Sequence, residues 1–269
     1  MRRLMLFVAL AASLAAPACA QSAGTSEAQP PAAAPAPPQA LAPDTQELLD
    51  RMDEAGRKIE TLQAQFDYEL NQTLYEDVQK RKGELLFRAP NLLSFEFTDR
   101  PRETFVFDGR ILYHKKDATK QLIIWEIRRP EEPALDSFEL GKTPFPMPFG
   151  QKKEAVLKNF DVSRDAAEES RDKEKRGVLV LKPKKDTPLA ETYTAIALWV
   201  DAKTFLPTRA RLWDTSENIT TIDFHTIVIN KNVDAKMFAR PEVPEDWEIV
   251  HHAKEPEAEA QGETERKAQ

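Results

Sequence analysis

Residues 83–127 constrain the fold most, because they read as five consecutive short β-strands that are apolar on both faces. The runs are 83–88, 92–97, 104–107, 111–113 and 121–125. Alternate side chains of a strand point to opposite faces, yet Phe105 and Phe107 share one face while Val106 lies on the other. Apolar residues on both faces need cover on both sides. An antiparallel meander of this kind predicts a sheet curved around something hydrophobic, either core helices or a lipid.

The N-terminus predicts export. Two arginines follow the first methionine, an apolar run extends to Ala16, and a small-residue cleavage site ends at Ala20. This order is typical of a secretory signal peptide, here over residues 1–20. The apolar run is too short to span a bilayer as a helix of the mature protein. We therefore expect a periplasmic protein.

Cys19 is the single cysteine of the chain, which excludes an intramolecular disulfide. Two processing routes stay open. Cleavage after Ala20 would release a soluble protein, and this is the route that we favour. Lipidation of Cys19 would instead anchor the protein to a membrane.

The rest of the chain predicts one folded domain over residues 44–250. Residues 21–43 are rich in proline and alanine, and such a composition predicts a disordered linker. Residues 251–269 predict a disordered charged tail. The net charge of −7 and the isoelectric point of about 5.4 disfavour a nucleic-acid partner, which would need a basic surface.

Residue periodicity predicts an α+β domain. We expect Asp44 to cap a long N-terminal helix, with Glu47 completing a capping box, and the apolar helical spacing extends from Leu48 to Leu62. About ten strands follow, from Ala64 to Ile229. Short helices are expected at 134–140 and 152–158, within one insertion between strands. The sum is a large curved antiparallel sheet with helices on one side.

Residues 143–150 stand out within that insertion, because Phe145, Met147 and Phe149 alternate with three prolines. Proline fixes φ and removes a hydrogen-bond donor, so this run cannot lie inside a sheet. We expect a stiff extended loop with large apolar side chains. Two interpretations stay open: a loop that covers one end of the core, or a lid that contacts a ligand.

The sequence offers no catalytic constellation. It lacks a nucleophile elbow, a zinc-protease helix and a P-loop. Its four histidines do not show metal-ligand spacing; they are His114, His225, His251 and His252. We therefore expect no enzyme activity, no cofactor and no metal site.

Four segments in order carry a family resemblance. They are 62–66 (LQAQF), 83–91 (GELLFRAPN), 105–113 (FVFDGRILY) and 232–238 (NVDAKMF). In an exported protein this order resembles the periplasmic outer-membrane lipoprotein carrier family, the LolA type. The resemblance covers residues 44–250. It implies an unclosed antiparallel β half-barrel of about ten strands, with the N-terminal helix and short lid helices over its concave face, and a cavity for acyl chains between them.

The function that this resemblance implies is a periplasmic carrier, which binds the acyl chains of lipoproteins or other lipids and moves them toward the outer membrane. The implied partners are acylated lipoproteins or phospholipid, an inner-membrane release complex and an outer-membrane acceptor, with the carrier itself a monomer. A second class stays open: a membrane-tethered LolA-like sensor or adaptor that binds lipid or a protein partner without transport.

Candidate site residues follow from the resemblance and from strand parity. The candidates for the cavity lining share one parity in each strand: Leu93, Phe95, Phe97, Phe105, Phe107, Ile123 and Trp125. The candidates for the lid are Phe138, Leu140, Phe145, Met147 and Phe149. The family gates its lid with an arginine directly before a proline, a position that Ala89 holds here, so the gating candidate is Arg88. A shift of one residue reverses the facing of a strand side chain, and the sequence does not determine which parity faces inward.

Overall fold

The computed structural model describes residues 41–129, 131–132 and 147–253, all within one compact unit, Ala40–Gln269. Several predictions lie outside the described residues. These are the signal peptide, Cys19, the linker up to residue 40, the helix at 134–140, the lid candidates Phe138, Leu140 and Phe145, and the tail from residue 254.

The described residues form a strand-rich fold with four α-helices. The helices are α1 (Pro43–Arg57), α2 (Lys153–Asn159), α3 (Ala166–Arg171) and α4 (Leu189–Thr192). The strands are β1 (Thr61–Gln72), β2 (Asp77–Arg88), β3 (Leu92–Phe97), β4 (Glu103–Phe107), β5 (Ile111–Lys116), β6 (Gln121–Glu126), β7 (Phe160–Arg164), β8 (Gly177–Pro183), β9 (Tyr193–Val200), β10 (Pro207–Asp214), β11 (Asn218–Ile229) and β12 (Glu248–His252). Two 3₁₀ helices cover Thr73–Tyr75 and Ala235–Phe238.

All twelve strands belong to one unclosed sheet, in the order β12-β6-β5-β4-β3-β2-β1-β11-β10-β9-β8-β7. This confirms the predicted α+β class and the open half-barrel. The predicted number of about ten strands falls short of twelve. The all-antiparallel expectation is wrong at one edge, where β12 pairs with β6 in parallel and runs to His252.

Helix α1 differs from its prediction at both ends. It begins at Pro43 with Ala42 as N-cap and no capping side chain, so the predicted capping box of Asp44 and Glu47 is wrong. Proline at the first helical positions has its φ preset and lacks an N–H that would need a cap. The helix ends at Arg57, and Leu62 belongs to β1, where the ladders with β2 and β11 fix its backbone.

The concave face of the sheet carries the main core. α1 places Leu49 and Met52 in the same buried cluster as Phe66 of β1, and the Phe66 ring stacks on Phe95 with 4.1 Å between centroids. β8, β9 and β10 contribute to the same cluster through Leu179, Leu181, Ile196, Leu198, Ala210 and Leu212. One strand parity therefore faces inward across the sheet.

Residues 231–247, which we call the C-terminal strap, cover the part of the convex face formed by β3 to β6. Val243 of the strap packs against a second buried cluster on β4, β5 and β6, formed by Val106, Tyr113, Leu122 and Ile124. The Lys115 ammonium lies 5.4 Å from the ring centroid of Trp247. Strands β4 to β6 can be apolar on both faces because one face joins the main core and the C-terminal strap covers the other.

Candidate functional site

An open groove of about 830 Å³ lies between α1, β11 and the β9–β10 turn. Its volume falls within the range of roughly 300–1,000 Å³ that is usual for small-molecule sites. The apolar part of its wall consists of Ala55, Phe205, Leu206, Phe224, Ile227 and Ile229, the charged rim consists of Arg51, Glu54, Lys58, Asp201 and Lys203, and Thr204, Thr208, His225 and Thr226 also line the groove. The groove thus combines an apolar interior with a charged mouth.

A β-bulge in β11 shapes the wall. β11 advances three residues where β1 advances two, between Gln63 and Gln65, and Thr226 has φ +52°. A bulge inserts one residue and re-aims the side chains that follow it. Phe224 before the bulge and Ile227 after it therefore both reach the groove, although they have opposite parity.

The β9–β10 turn presents Phe205 to α1. Asp201 Oδ1 accepts hydrogen bonds from the backbone N–H groups of Lys203 and Thr204 and from the Thr204 hydroxyl. Burial raises the pKa of Asp201, but these hydrogen bonds prevail and hold it below its ordinary value. Phe205 has φ +55°, and its ring centroid lies 5.0 Å from Cζ of Arg51. The turn is thus fixed by its own hydrogen bonds.

The two predicted lid residues within the described chain are buried next to this groove. Phe149 meets Phe224 edge to face, with 4.9 Å between ring centroids, and Met147 belongs to the same core cluster. Gly150 has φ +69°, and a Cβ built on Gly56 of α1 would lie 3.3 Å from Gly150 Cα. The chain at 147–150 therefore packs closely against α1 and β11.

The seven predicted lining residues share the concave face, as the strand register shows. Four of them are buried in the core (Leu93, Phe95, Phe97 and Phe107), and three are half-buried (Phe105, Ile123 and Trp125). None of them borders the open groove. Their part in ligand binding stays a prediction.

A charged group lies on the same face near Trp125. The His114 ring stacks on Phe105, with 3.8 Å between centroids, and its Nε2 lies 2.5 Å from Glu103 Oε1. The hydrogen bond from His114 lowers the pKa of Glu103, and burial opposes this shift. Arg81 Nη1 donates to Glu103 Oε2 at 3.3 Å. This end of the concave face is therefore not purely apolar.

The gating candidate Arg88 lies on the other face. Its neighbour Phe87 pairs with Leu93 on the concave face. Alternation along β2 directs Arg88 to the convex face, away from α1. The one-residue offset from the family position thus directs the Arg88 side chain away from the concave face, as expected for a shift of one position along a strand.

The residues that line the groove are not among the candidates that the sequence predicted. One signal for them was present: the spacing between apolar positions of β11 is two from Ile222 to Phe224 and three from Phe224 to Ile227. Such a change of phase within one strand indicates a bulge. The proximity of Ala55 and Phe205 had no sequence signal, because it depends on how α1 lies across the sheet.

Within residues 41–129, 131–132 and 147–253, no three His, Cys, Asp or Glu side chains are grouped to hold a metal ion. None of the helices in these ranges has the length and hydropathy of a membrane span.

The family model for "Outer membrane lipoprotein carrier protein LolA" matches residues 57–241. No curated protein sequence matches the chain. Similar solved structures include an uncharacterized conserved protein from Thermus thermophilus (14% identity, TM-score 0.45, 78% of this chain and 99% of that one). Another is the Pseudomonas aeruginosa MucA/MucB complex (15% identity, TM-score 0.41, 75% of this chain and 63% of that one). A third is a LolA superfamily protein from Nitrosomonas europaea (12% identity, TM-score 0.37, 73% of this chain and 97% of that one). At these values the structures carry no functional argument.

Proposed function

Because the chain belongs to the LolA family of outer membrane lipoprotein carrier proteins, we propose that it is a periplasmic carrier that binds the acyl chains of lipoproteins, or of other lipids, and moves them toward the outer membrane. The observation that carries this proposal is the groove between α1 and β11, whose apolar wall leads to the core through the contact of Phe224 with Phe149.

The energetics of an acyl chain in water support a binding role. Burial of each CH₂ group is worth about 0.8 kcal/mol, so an acylated cargo needs continuous apolar cover to cross an aqueous compartment. Apolar contact is non-directional, and the groove wall can therefore accept chains of different structure. No catalytic step is part of this proposal.

Release of the cargo requires that the cavity be refilled. Phe149 fills the space next to Phe224 in this structure, so an acyl chain that extends from the groove toward the core would have to displace its ring. The flexible thioether of methionine suits a surface that must adapt to variable chains.

Native mass spectrometry of protein purified from periplasm without detergent tests the proposal. We expect discrete added masses that match phospholipid or acylated peptide. Ala55→Phe, which places a ring in the groove, should reduce them while the melting temperature is kept. Ala167→Phe on the exposed face of α3 is the matched control and should retain them. A wild-type protein that stays free of lipid after incubation with both ligands would contradict the proposal.

One observation favours the adaptor alternative. At the tip of the β1–β2 hairpin, Leu74 and Tyr75 are 68% and 70% exposed, and Val78 is 48% exposed. Exposed apolar groups that lie together are typical of interaction sites. Inhibition of lipoprotein signal peptidase distinguishes the two roles: accumulation of an unprocessed precursor would show lipidation at Cys19 and favour a tethered adaptor. Normal processing would favour the soluble carrier.

A further inference from the structure

We propose that the groove selects anionic amphiphiles and that Lys203 contacts their head group. This inference rests on the proposed lipid binding. The whole chain has a net charge of −7, yet the groove rim carries three cations, Arg51, Lys58 and Lys203, against two carboxylates. Glu47, which binds Arg51 just outside the groove, balances this count, so the preference for a negative ligand depends on the rim cation that lacks a carboxylate partner.

Two of the three cations already have carboxylate partners on α1. Arg51 Nη2 lies 2.9 Å from Glu47 Oε1, and Lys58 Nζ lies 2.7 Å from Glu54 Oε1. Within the described part of the chain, Lys203 Nζ has no carboxylate oxygen at ion-pairing distance. Lys203 is therefore the cation at the rim whose charge is least compensated.

Neither rim carboxylate forms an ion pair with Lys203, although both keep their negative charge. Asp201 directs Oδ1 into its own turn, where three donors bind it. Glu54 binds Lys58, and this hydrogen bond lowers the pKa of Glu54. The two rim carboxylates are thus each bound to donors of their own element, and Lys203 remains exposed to solvent.

Lys203 and Phe205 place a charge and an apolar side chain two residues apart on one rigid turn. Phe205 and Leu206 continue into the apolar wall toward Phe224. An acyl chain along this wall would leave its head group at the mouth, within reach of a flexible lysine side chain. Lysine acts on phosphate and carboxylate groups as a point charge, so the ligand class is a lipid with a carboxylate or phosphate head.

Calorimetric titration with amphiphiles of one tail length tests this selection. We would titrate monomeric dodecanoate, dodecyl maltoside and dodecyltrimethylammonium, which share a twelve-carbon chain and differ in charge. We expect dodecanoate to bind most tightly of the three. We expect its affinity to fall with added salt. Lys203→Gln should reduce the dodecanoate affinity roughly two- to five-fold and leave that of dodecyl maltoside unchanged.

Lys182→Gln is the matched control, because Lys182 is exposed on β8, away from the groove, and should bind like wild type. A second pair of probes separates two sources of the head group. We would compare diheptanoyl phosphatidylglycerol with diheptanoyl phosphatidylcholine. Tighter binding of the phosphatidylglycerol that depends on Lys203 would identify a phospholipid as the source of the head group. A preference confined to dodecanoate would assign free fatty acids.

The failures of the two proposals are distinguishable. If none of the amphiphiles binds wild type, the lipid-binding function itself is overturned. If dodecanoate and dodecyl maltoside bind equally, or if Lys203→Gln and Lys182→Gln behave alike, lipid binding stands and the selection by charge is overturned.

Discussion

At the scale of single residues, Gly83 shows how one missing side chain builds the core. Gly83 of β2 pairs with Phe66 of β1, and a Cβ on Gly83 would lie 2.1 Å from Phe66 Cζ and 2.2 Å from the Glu96 carbonyl oxygen. Phe66 can cross β2 and stack on Phe95 because this position is empty. The glycine of the GELLFRAPN segment thus has a packing role.

We expect Gly83→Ala to lower the free energy of unfolding by about 1–3 kcal/mol, the range for overpacked cores, because both the Phe66 ring and the β3 backbone would have to move. Urea unfolding measures the change. Glu84→Ala, at the exposed next position, should stay within about 0.5 kcal/mol of wild type. Equal midpoints for Gly83→Ala and wild type would show that the ring moves at no cost.

At the scale of elements, the C-terminal strap stabilises strands that are apolar on both faces. The 3₁₀ helix Ala235–Phe238 lies on β3 and buries Phe238, and Val243 covers Val106 and its neighbours further along. The strap also leads the chain to the open side of β6, which makes β12 a parallel partner there. A segment with little regular structure therefore completes one layer of the fold.

Two adjacent residues of the strap should differ in how much their truncation lowers the free energy of unfolding. Phe238→Ala should lower the free energy of unfolding by about 3–5 kcal/mol, because Phe238 is buried. Met237→Ala should change it little, since Met237 is 48% exposed. Thermal and urea unfolding of both variants measure the difference. Similar losses, or none, would mean that the strap does not stabilise the sheet.

At the scale of the whole molecule, opposite ends of the domain cover opposite faces of one sheet. α1 comes from the N-terminal side and packs on the concave face, and the strap comes from the C-terminal side and packs on the convex face. The groove lies where α1 ends and the bulge of β11 re-aims the wall. The candidate site is thus a product of the long-range arrangement.

The described ranges should contain the folding unit. We expect residues 41–253 to unfold at the same temperature as the chain from residue 21 to residue 269, because the added ends have compositions that cannot bury a core. Differential scanning calorimetry of the two proteins is the measurement. A shift of several degrees in either direction would show that the ends contribute to stability.

The sequence by itself determined the strands with local signals. The five apolar runs between residues 83 and 125 placed β2 to β6, because strand preference and alternation act within a few positions of the chain. The shared parity of Leu93, Phe95, Phe105 and Phe107 followed from the same rule. β12 was not predicted, since the short segment 248–252 (EIVHH) has no alternating pattern and is a strand through its pairing with β6.

Tertiary structure alone decided which parity faces inward, what covers each face, and where the groove lies. These depend on where α1 and the strap come to rest, and such contacts join residues far apart in sequence. Ala55 meets the surroundings of Phe205 and Phe224 at the groove, and no local pattern links those positions. The alternation of a strand specifies two faces and gives them no direction, because burial is a property of the folded sheet and its neighbours.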